Sequence, residues 1–184
     1  MPRIQPVLKD QADAKTAVLL ESVGKKLGMV PNLISTMAHS LAVANAYLGF
    51  SQSLAGGLLP ARLREQIALA VGETNGCGYC VAAHTALGKG AGLSEAETCN
   101  ARRTIASDPK EQVALVFARK LVVDRGMVRD DDVLQVRAAG YNDGEIAEIV
   151  AGVALNIFTN YFNHVAGTET DFPAPPELVQ TAAE

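Results

Sequence analysis

The 184-residue chain lacks tryptophan, has only three cysteines and carries no excess of positive charge. With a formal net charge of -4, it has no basic surface of the kind that binds nucleic acid. Its longest uncharged apolar run, Ile149–Phe158, is too short to cross a membrane. The first ten residues contain no apolar segment long enough for a secretory signal. We therefore expect a cytoplasmic protein without nucleic-acid or membrane partners.

Strand patterns are also missing from this sequence. No segment alternates strictly between apolar and polar residues, whereas apolar residues recur at helical spacing through most of the chain. A composition with 48% hydrophobic residues and many alanines suits closely packed helices. We predict a single all-α domain over residues 1–184, with a helical core at about 13–165 and a C-terminal tail at about 166–184.

Capping residues and glycine breaks predict where the helices begin and end. Two of the helix starts, residues 92–97 and 140–145, resemble each other. They indicate either an internal helical repeat or only the same capping chemistry used twice. The helices are expected at about 13–27, 31–54 with a break near Ser40, 60–74, 77–90, from 94 onward, 108–121, a short one after 130, and 142–164.

A Cys-x-x-Cys pair, Cys77 and Cys80, is the feature with the most chemical content. It follows a break at residues 75–76, so both thiols lie at a helix N-terminus, where unpaired N–H groups and the helix dipole favour a thiolate. On such a helix, Cys77, Cys80 and His84 share one face. In a reducing cytosol this pair is more often catalytic or metal-binding than a permanent disulfide.

Glu65 is the best candidate for a carboxylate that orients His84. If the helices on either side of the break run antiparallel, position 65 comes level with about position 86 and Glu65 faces His84. Glu73 comes level with about position 78, away from the imidazole. We therefore predict a relay from Glu65 to His84 to Cys80, in which the carboxylate orients a base and the base activates a thiol.

Two other interpretations of these residues stay open at this point. Cys77, Cys80, His84 and Glu65 are all residue types that bind zinc, although a closed structural site usually needs a second cysteine or histidine pair. Alternatively, the thiols and the histidine are inert core residues. Cys99 lies in a stretch of small residues, and we expect a buried packing thiol there.

Asn156, Asn160 and His164 lie at four-residue spacing and share a face of the last long helix. An oligomer interface or a buried polar network is the first interpretation of this face. Contact with a substrate is the second.

Residues 65–84 carry Glu, Asn-Gly-Cys, aromatic-Cys and Ala-His elements in fixed order, and they resemble the AhpD-like alkylhydroperoxidases of the carboxymuconolactone decarboxylase superfamily. A looser resemblance at residues 29–33, 46–48 and 156–165, ahead of 171–173, favours the peroxidase-related branch. The resemblance implies an AhpD-like all-α fold, a homo-oligomer and an antioxidant enzyme that needs no metal, haem or flavin.

For this chain, the resemblance implies that Cys80, supported by His84 and Glu65, reacts with a hydroperoxide and that Cys77 then closes a disulfide. The helix dipole would favour Cys77 as the more exposed thiolate, but a hydrogen-bonded base acts at shorter range and favours Cys80. Tyr79 stands where some members have histidine, which removes one proton donor. The implied partners are a hydroperoxide and a thiol reductant, either a lipoyl-bearing protein or a peroxiredoxin.

Two further classes of function would use the same features differently. A redox sensor or disulfide-exchange protein would use the cysteines without rapid peroxide turnover. A cofactor-free decarboxylase or lactone-processing enzyme would share the fold but would not need paired thiols. Peroxide consumption with a dithiol reductant separates the expected peroxidase from both.

Overall fold

The computed structural model describes residues 1–178, and every regular element in that range is a helix. The all-α class predicted from the periodicity is confirmed, and the helices lie close to their predicted positions. They are α1 (Ala14–Leu27), α2 (Asn32–Met37), α3 (Leu41–Ala55), α4 (Ala61–Thr74), α5 (Gly78–Gly90), α6 (Glu95–Arg102), α7 (Pro109–Val123), α8 (Asp130–Ala138) and α9 (Asp143–Ala166).

Side-chain caps explain where the first helices begin. The Asp13 carboxylate accepts two N–H groups of the first turn at 2.9 and 3.0 Å, so α1 begins at the next residue. Ser40 accepts the N–H of Val43 at 3.4 Å and becomes the N-cap of α3. The predicted helix over 31–54 is therefore divided into α2 and α3 near Ser40, as expected.

The two helix starts that resemble each other also share their local geometry. Each follows a glycine in the left-handed region, Gly92 at φ 91° and Gly140 at φ 92°, where an L side chain would be strained. Each then begins with a capping box that satisfies two backbone N–H groups reciprocally. Capping chemistry by itself accounts for this likeness, so the internal repeat stays a prediction. The two pairs are Ser94 with Glu97 and Asn142 with Glu145.

Helix α4 lies at the centre of the fold, with α5, α6, α7 and α9 packed around it. Residues 66–72 of α4 are all buried, which is the pattern of a helix covered on every side. Glu65 and Glu73 stand immediately before and after this buried stretch. Each carboxylate therefore lies where α4 emerges from the core.

The two cysteines of the Cys-x-x-Cys pair belong to a small apolar cluster that is separate from the main core. Tyr47, Phe162 and Phe172 pack against this cluster. The helices of residues 1–178 include none that is both long and apolar enough to cross a membrane.

The C-terminal tail predicted from about residue 166 begins where α9 ends. Two backbone N–H groups, those of Arg3 and Ile4, donate to the Ala166 carbonyl and hold the N-terminal segment against the end of α9. The Asp171 carboxylate accepts the N–H of Asn32 at 2.7 Å, at the beginning of α2. The part of the predicted tail at 179–184 lies outside the described residues.

Candidate active site

A three-residue turn connects α4 to α5 and sets the position of the cysteines. Asn75 ends α4, Gly76 adopts a left-handed φ of 66°, and Cys77 is the N-cap of α5. The Cys77 N–H donates to the Gly72 carbonyl at 2.8 Å, which fixes the turn to the end of α4. Cys80 then lies in the first turn of α5, as the sequence predicted.

Glu65 and His84 meet across the α4–α5 pair. The Glu65 Oε2 lies 2.8 Å from His84 Nδ1, so the predicted antiparallel placement of the two side chains is confirmed. Burial alone would lower the pKa of His84, but the charge and hydrogen bond of Glu65 oppose it, and the pKa of His84 is raised. The imidazole is therefore held in one orientation and its protonated form is favoured.

Both cysteines are buried, with Cys77 1% and Cys80 3% exposed. The Cys77 thiol donates to the Cys80 sulfur, and this hydrogen bond, with smaller contributions from His84 and Asn163, outweighs burial and lowers the pKa of Cys80 to about 6. The same hydrogen bond, together with burial, raises the pKa of Cys77. The dipole-based expectation that Cys77 is the more exposed thiolate is therefore wrong, because the α5 N-terminus is covered and Cys77 uses its proton to stabilise Cys80.

Asn163 is a site residue that the sequence analysis missed. Its Nδ2 donates to Cys80 Sγ at 3.2 Å and lies 4.0 Å from Cys77 Sγ. The spacing of Asn156, Asn160 and Asn163 alternates four and three residues, which follows one helical face more closely than strict four-residue steps do. A search at that spacing would have found it.

The three residues predicted to share a face of α9 have different surroundings. Asn156 is buried and donates to the Gly152 carbonyl of its own helix at 2.8 Å, whereas Asn160 is buried and accepts from Asn75 at 2.8 Å. His164 is exposed, so it does not belong to a buried polar network, and the oligomer-interface interpretation of this face stays a prediction. Asn160 therefore supports the α4–α5 turn from the side of α9.

A cavity of about 410 Å³ opens beside the cysteines. Cys80 and His84 both line it, whereas Cys77 does not. The other lining residues are mostly apolar, so the cavity suits an apolar small molecule. They include Leu27, Met29, Leu33, Tyr47, Leu48 and Phe172.

Across residues 1–178, no hydrogen bond joins His84 to Cys80, although the predicted relay placed a hydrogen-bonded base beside the thiol. The two side chains interact electrostatically and face the same cavity. A smaller cavity of about 140 Å³ is lined by Glu65 as well as by His84. The imidazole thus stands between the two cavities, where it can exchange protons with molecules in either.

Tyr79 lies between the two cysteines in the sequence, and its hydroxyl already has hydrogen-bond partners. Its hydroxyl donates to Asp171 at 2.9 Å and accepts the N–H of Leu33 at 3.2 Å. The edge of its ring meets Phe172, with 5.8 Å between the centroids. Tyr79 therefore fastens the C-terminal segment to α2 and α5 and has no hydroxyl proton free for the cavity.

The remaining candidate residues lie away from the cavity. Cys99 on α6 is partly exposed, which corrects the expectation of a buried thiol. Glu73 bonds to Arg102 at 2.7 Å, so it is not the partner of His84. In the part of the chain that the structure describes, no group of three or more His, Cys, Asp and Glu side chains is placed to hold a metal ion.

A protein-family model matches part of this chain, and several solved structures share its fold. The model of the carboxymuconolactone decarboxylase family matches residues 42–120, which include α4, α5 and all four candidate site residues. An uncharacterized peroxidase-related protein from Silicibacter sp. TM1040 has 25% identity and a TM-score of 0.79, with 91% of this chain and 92% of that chain covered. No curated protein matches the chain.

Two further solved structures share the fold. The AhpD core of a peroxidase-related protein from Ralstonia eutropha JMP134 is 23% identical, with a TM-score of 0.84 and 92% of each chain covered. The debrominase Bmp8, solved with 2,3,4-tribromopyrrole, is 19% identical, with a TM-score of 0.78 over 92% of this chain and 91% of that chain. The helix arrangement is that of the AhpD core and of the peroxidase-related neighbours, and residues 42–120, which are less than half of the chain, match the model of the carboxymuconolactone decarboxylase family.

Proposed function

We propose that the protein is a thiol-dependent hydroperoxide reductase that acts in antioxidant defence in the cytoplasm. The observation that carries the proposal is the surroundings of Cys80. Its sulfur has a pKa lowered to about 6, so it is a thiolate at neutral pH, and it faces an apolar cavity of about 410 Å³. A thiolate is the nucleophilic form of cysteine.

In the proposed reaction, the Cys80 thiolate attacks the terminal oxygen of the hydroperoxide. The S–O bond forms as the O–O bond breaks, so Cys80 becomes a sulfenic acid and the organic fragment leaves as an alcohol after taking a proton. The Cys77 sulfur then attacks the Cys80 sulfenic acid, and the departing hydroxide leaves as water with the Cys77 proton. The products are an alcohol, water and a Cys77–Cys80 disulfide.

The proposed redox partner is a dithiol carried on a slender arm, such as a lipoyl group. Cys80 lines the cavity and Cys77 does not, so an incoming thiolate would attack Cys80 and release Cys77. Both cysteines are at most 3% exposed, which favours a narrow reductant over a flat protein surface. A peroxiredoxin remains the alternative partner if it presents its cysteine on a protruding segment.

Peroxide turnover and disulfide mapping test the proposal together. With dihydrolipoamide as reductant, the protein should consume tert-butyl hydroperoxide catalytically, Cys80→Ser should abolish turnover, and Cys99→Ser should leave it unchanged. Trypsin would leave Cys77 and Cys80 together on the fragment at 65–89 and Cys99 on another. Oxidation should lower the mass of the first fragment by two hydrogen atoms. Disulfide formation without turnover would instead support a redox sensor.

We also propose that the protein forms a homo-oligomer. Helix α3 is apolar, yet Ala44 is its only buried residue among Leu41–Ala55. Phe50 on this helix and Phe158 and Val165 on α9 are exposed. Contact between copies would bury these side chains. Light scattering at micromolar concentration should give a mass above 19.3 kDa, and a monomer would contradict the proposal.

A further inference from the structure

The hydroxyl of Tyr47 has no hydrogen-bond partner within residues 1–178, although its ring packs against the cluster that contains both cysteines. Tyr47 lies on α3 and lines the same cavity as Cys80 and His84. The hydroxyls of the two buried tyrosines have partners, because Tyr79 bonds to Asp171 and Tyr141 bonds to a backbone carbonyl. Tyr47 is half-buried on the cavity wall, so its hydroxyl is free to donate to a molecule in the cavity.

The charges around Tyr47 keep its proton in place. Burial, followed by the negative charges of Cys80 and Glu65, raises the pKa of Tyr47 to about 12. At neutral pH the cavity wall therefore presents a nucleophilic thiolate at Cys80 and a neutral O–H donor at Tyr47. These are the two groups that a reaction requires when it forms one bond to sulfur and releases a strongly basic oxygen.

Cleavage of an alkyl hydroperoxide releases an alkoxide, which is a much stronger base than the thiolate that attacks. A proton delivered as the O–O bond breaks would stabilise that oxygen. Tyr79 does not supply it, because its hydroxyl proton is held by Asp171. Tyr47 has a donor that nothing else in the described residues uses, and it lines the same cavity as Cys80.

We propose that Tyr47 is the proton donor to the leaving oxygen when Cys80 cleaves the peroxide bond, a role that rests on the hydroperoxide reductase function proposed above. Cys80 sulfur bonds to the terminal oxygen, the O–O electron pair goes to the alkoxide, and the Tyr47 proton converts the alkoxide into an alcohol. The Tyr47 oxygen then recovers a proton from the His84 imidazolium, which is restored from solvent. One proton is consumed for each sulfenic acid formed.

The proposal is tested by changing the leaving group. tert-Butyl hydroperoxide releases an alkoxide and needs a donor, whereas peracetic acid releases a carboxylate, whose pKa is about 4 and which needs none. Tyr47→Phe should slow single-turnover oxidation of Cys80 by tert-butyl hydroperoxide by about a hundredfold, as the loss of a general acid does. Oxidation by peracetic acid and the pH dependence of Cys80 alkylation should change little, because neither needs the Tyr47 proton.

Tyr161→Phe provides the matched control, since Tyr161 is 58% exposed on α9 and its loss of one hydroxyl should alter neither rate. Equal slowing of both peroxides and of alkylation in Tyr47→Phe would show that Tyr47 only supports packing, and would overturn the proposal. Unchanged rates with both peroxides would also overturn it. A wild-type protein that neither peroxide oxidises would instead defeat the proposed function itself.

Discussion

Helix α4 has a glutamate at each end of its buried stretch. One glutamate pairs with an imidazole and the other pairs with a guanidinium. Glu65 bonds to His84 at 2.8 Å beside the cavity, whereas Glu73 bonds to Arg102 at 2.7 Å and neither residue of that pair lines the cavity. Arg102 also donates to the Pro176 carbonyl. Both carboxylates thus belong to charged pairs that join α4 to a neighbouring segment.

The difference between the two pairs lies in the cation. A guanidinium stays protonated at any physiological pH, so the Glu73 pair can only hold parts of the chain together. An imidazole gains and loses a proton near neutral pH, and His84 stands close enough to Cys80 to lower the pKa of that thiol. The same residue type on one helix therefore serves structure at one end and is placed to serve reactivity at the other.

The largest expected effect is a difference in peroxide turnover between variants of Glu65 and variants of Glu73. Glu65→Gln and His84→Ala should each slow peroxide turnover by about a hundredfold or more, because each weakens or removes the imidazolium that stabilises the Cys80 thiolate and resupplies a proton. The double variant should be little slower than either single variant, since both disable one unit. Glu73→Gln is the matched control on the same helix and should stay near the wild-type rate. Steady-state peroxide consumption gives all four values.

Two results would break the comparison between the glutamates. Loss of turnover in Glu73→Gln at the level of Glu65→Gln would mean that both pairs act only through the fold. Fully additive losses in the double variant would mean that Glu65 and His84 act independently. Thermal melting of each variant separates a lost fold from a lost function.

The Glu65–His84 pair was predictable from the sequence because it depends on a local reversal of the chain. A short turn between two helices fixes which positions come level, and counting residues from that turn is enough. The contact from Asn163 to Cys80 joins residues 83 positions apart, and it depends on how α9 crosses the α4–α5 pair. The position and angle at which α9 crosses the α4–α5 pair could not be predicted from the sequence alone.

The position of Cys77 shows a second limit of the sequence analysis. A cysteine at a helix N-terminus is expected to be exposed and acidic, and the local pattern predicts no more. Tertiary packing covers the α5 N-terminus with the small apolar cluster, so Cys77 is 1% exposed and donates to Cys80. Tyr79 was interpreted as the replacement of a proton-donating histidine. Its hydrogen bond to Asp171 could not be predicted from the local sequence either, because it depends on the position of the C-terminal segment.

A smaller effect is expected from Asn163. Asn163→Ala removes a hydrogen bond to the Cys80 thiolate, and a hydrogen bond to a charged group is worth about 1.5–3 kcal/mol. Turnover should fall by about tenfold, and the Cys80 pKa should rise. Asn156→Ala on the same helix is the control, because Asn156 bonds only to its own helix at Gly152. Equal losses in the two variants would show that α9 acts through packing rather than through its amide.

The smallest expected effect concerns stability. Arg102 is 10% exposed at its side chain, so Glu73→Gln leaves a largely buried guanidinium with a neutral partner. The loss of charge assistance should cost about 1 kcal/mol and lower Tm by about 2–4 °C. Glu65→Gln should lower Tm less than Glu73→Gln, and calorimetry measures both. The opposite order would show that the Glu65 pair is the structural one.

The pH dependence of Cys80 alkylation tests the central claim most directly, since it measures the thiolate without any peroxide. The rate at which iodoacetamide labels Cys80 is measured by mass spectrometry. In the wild type this rate should rise with pH around a midpoint of about 6. Below that pH the thiol is protonated and labelling should slow. The midpoint should move upward in Glu65→Gln and at least as far in His84→Ala, and it should stay in place in Glu73→Gln. A shift in Glu73→Gln with none in Glu65→Gln would contradict the account.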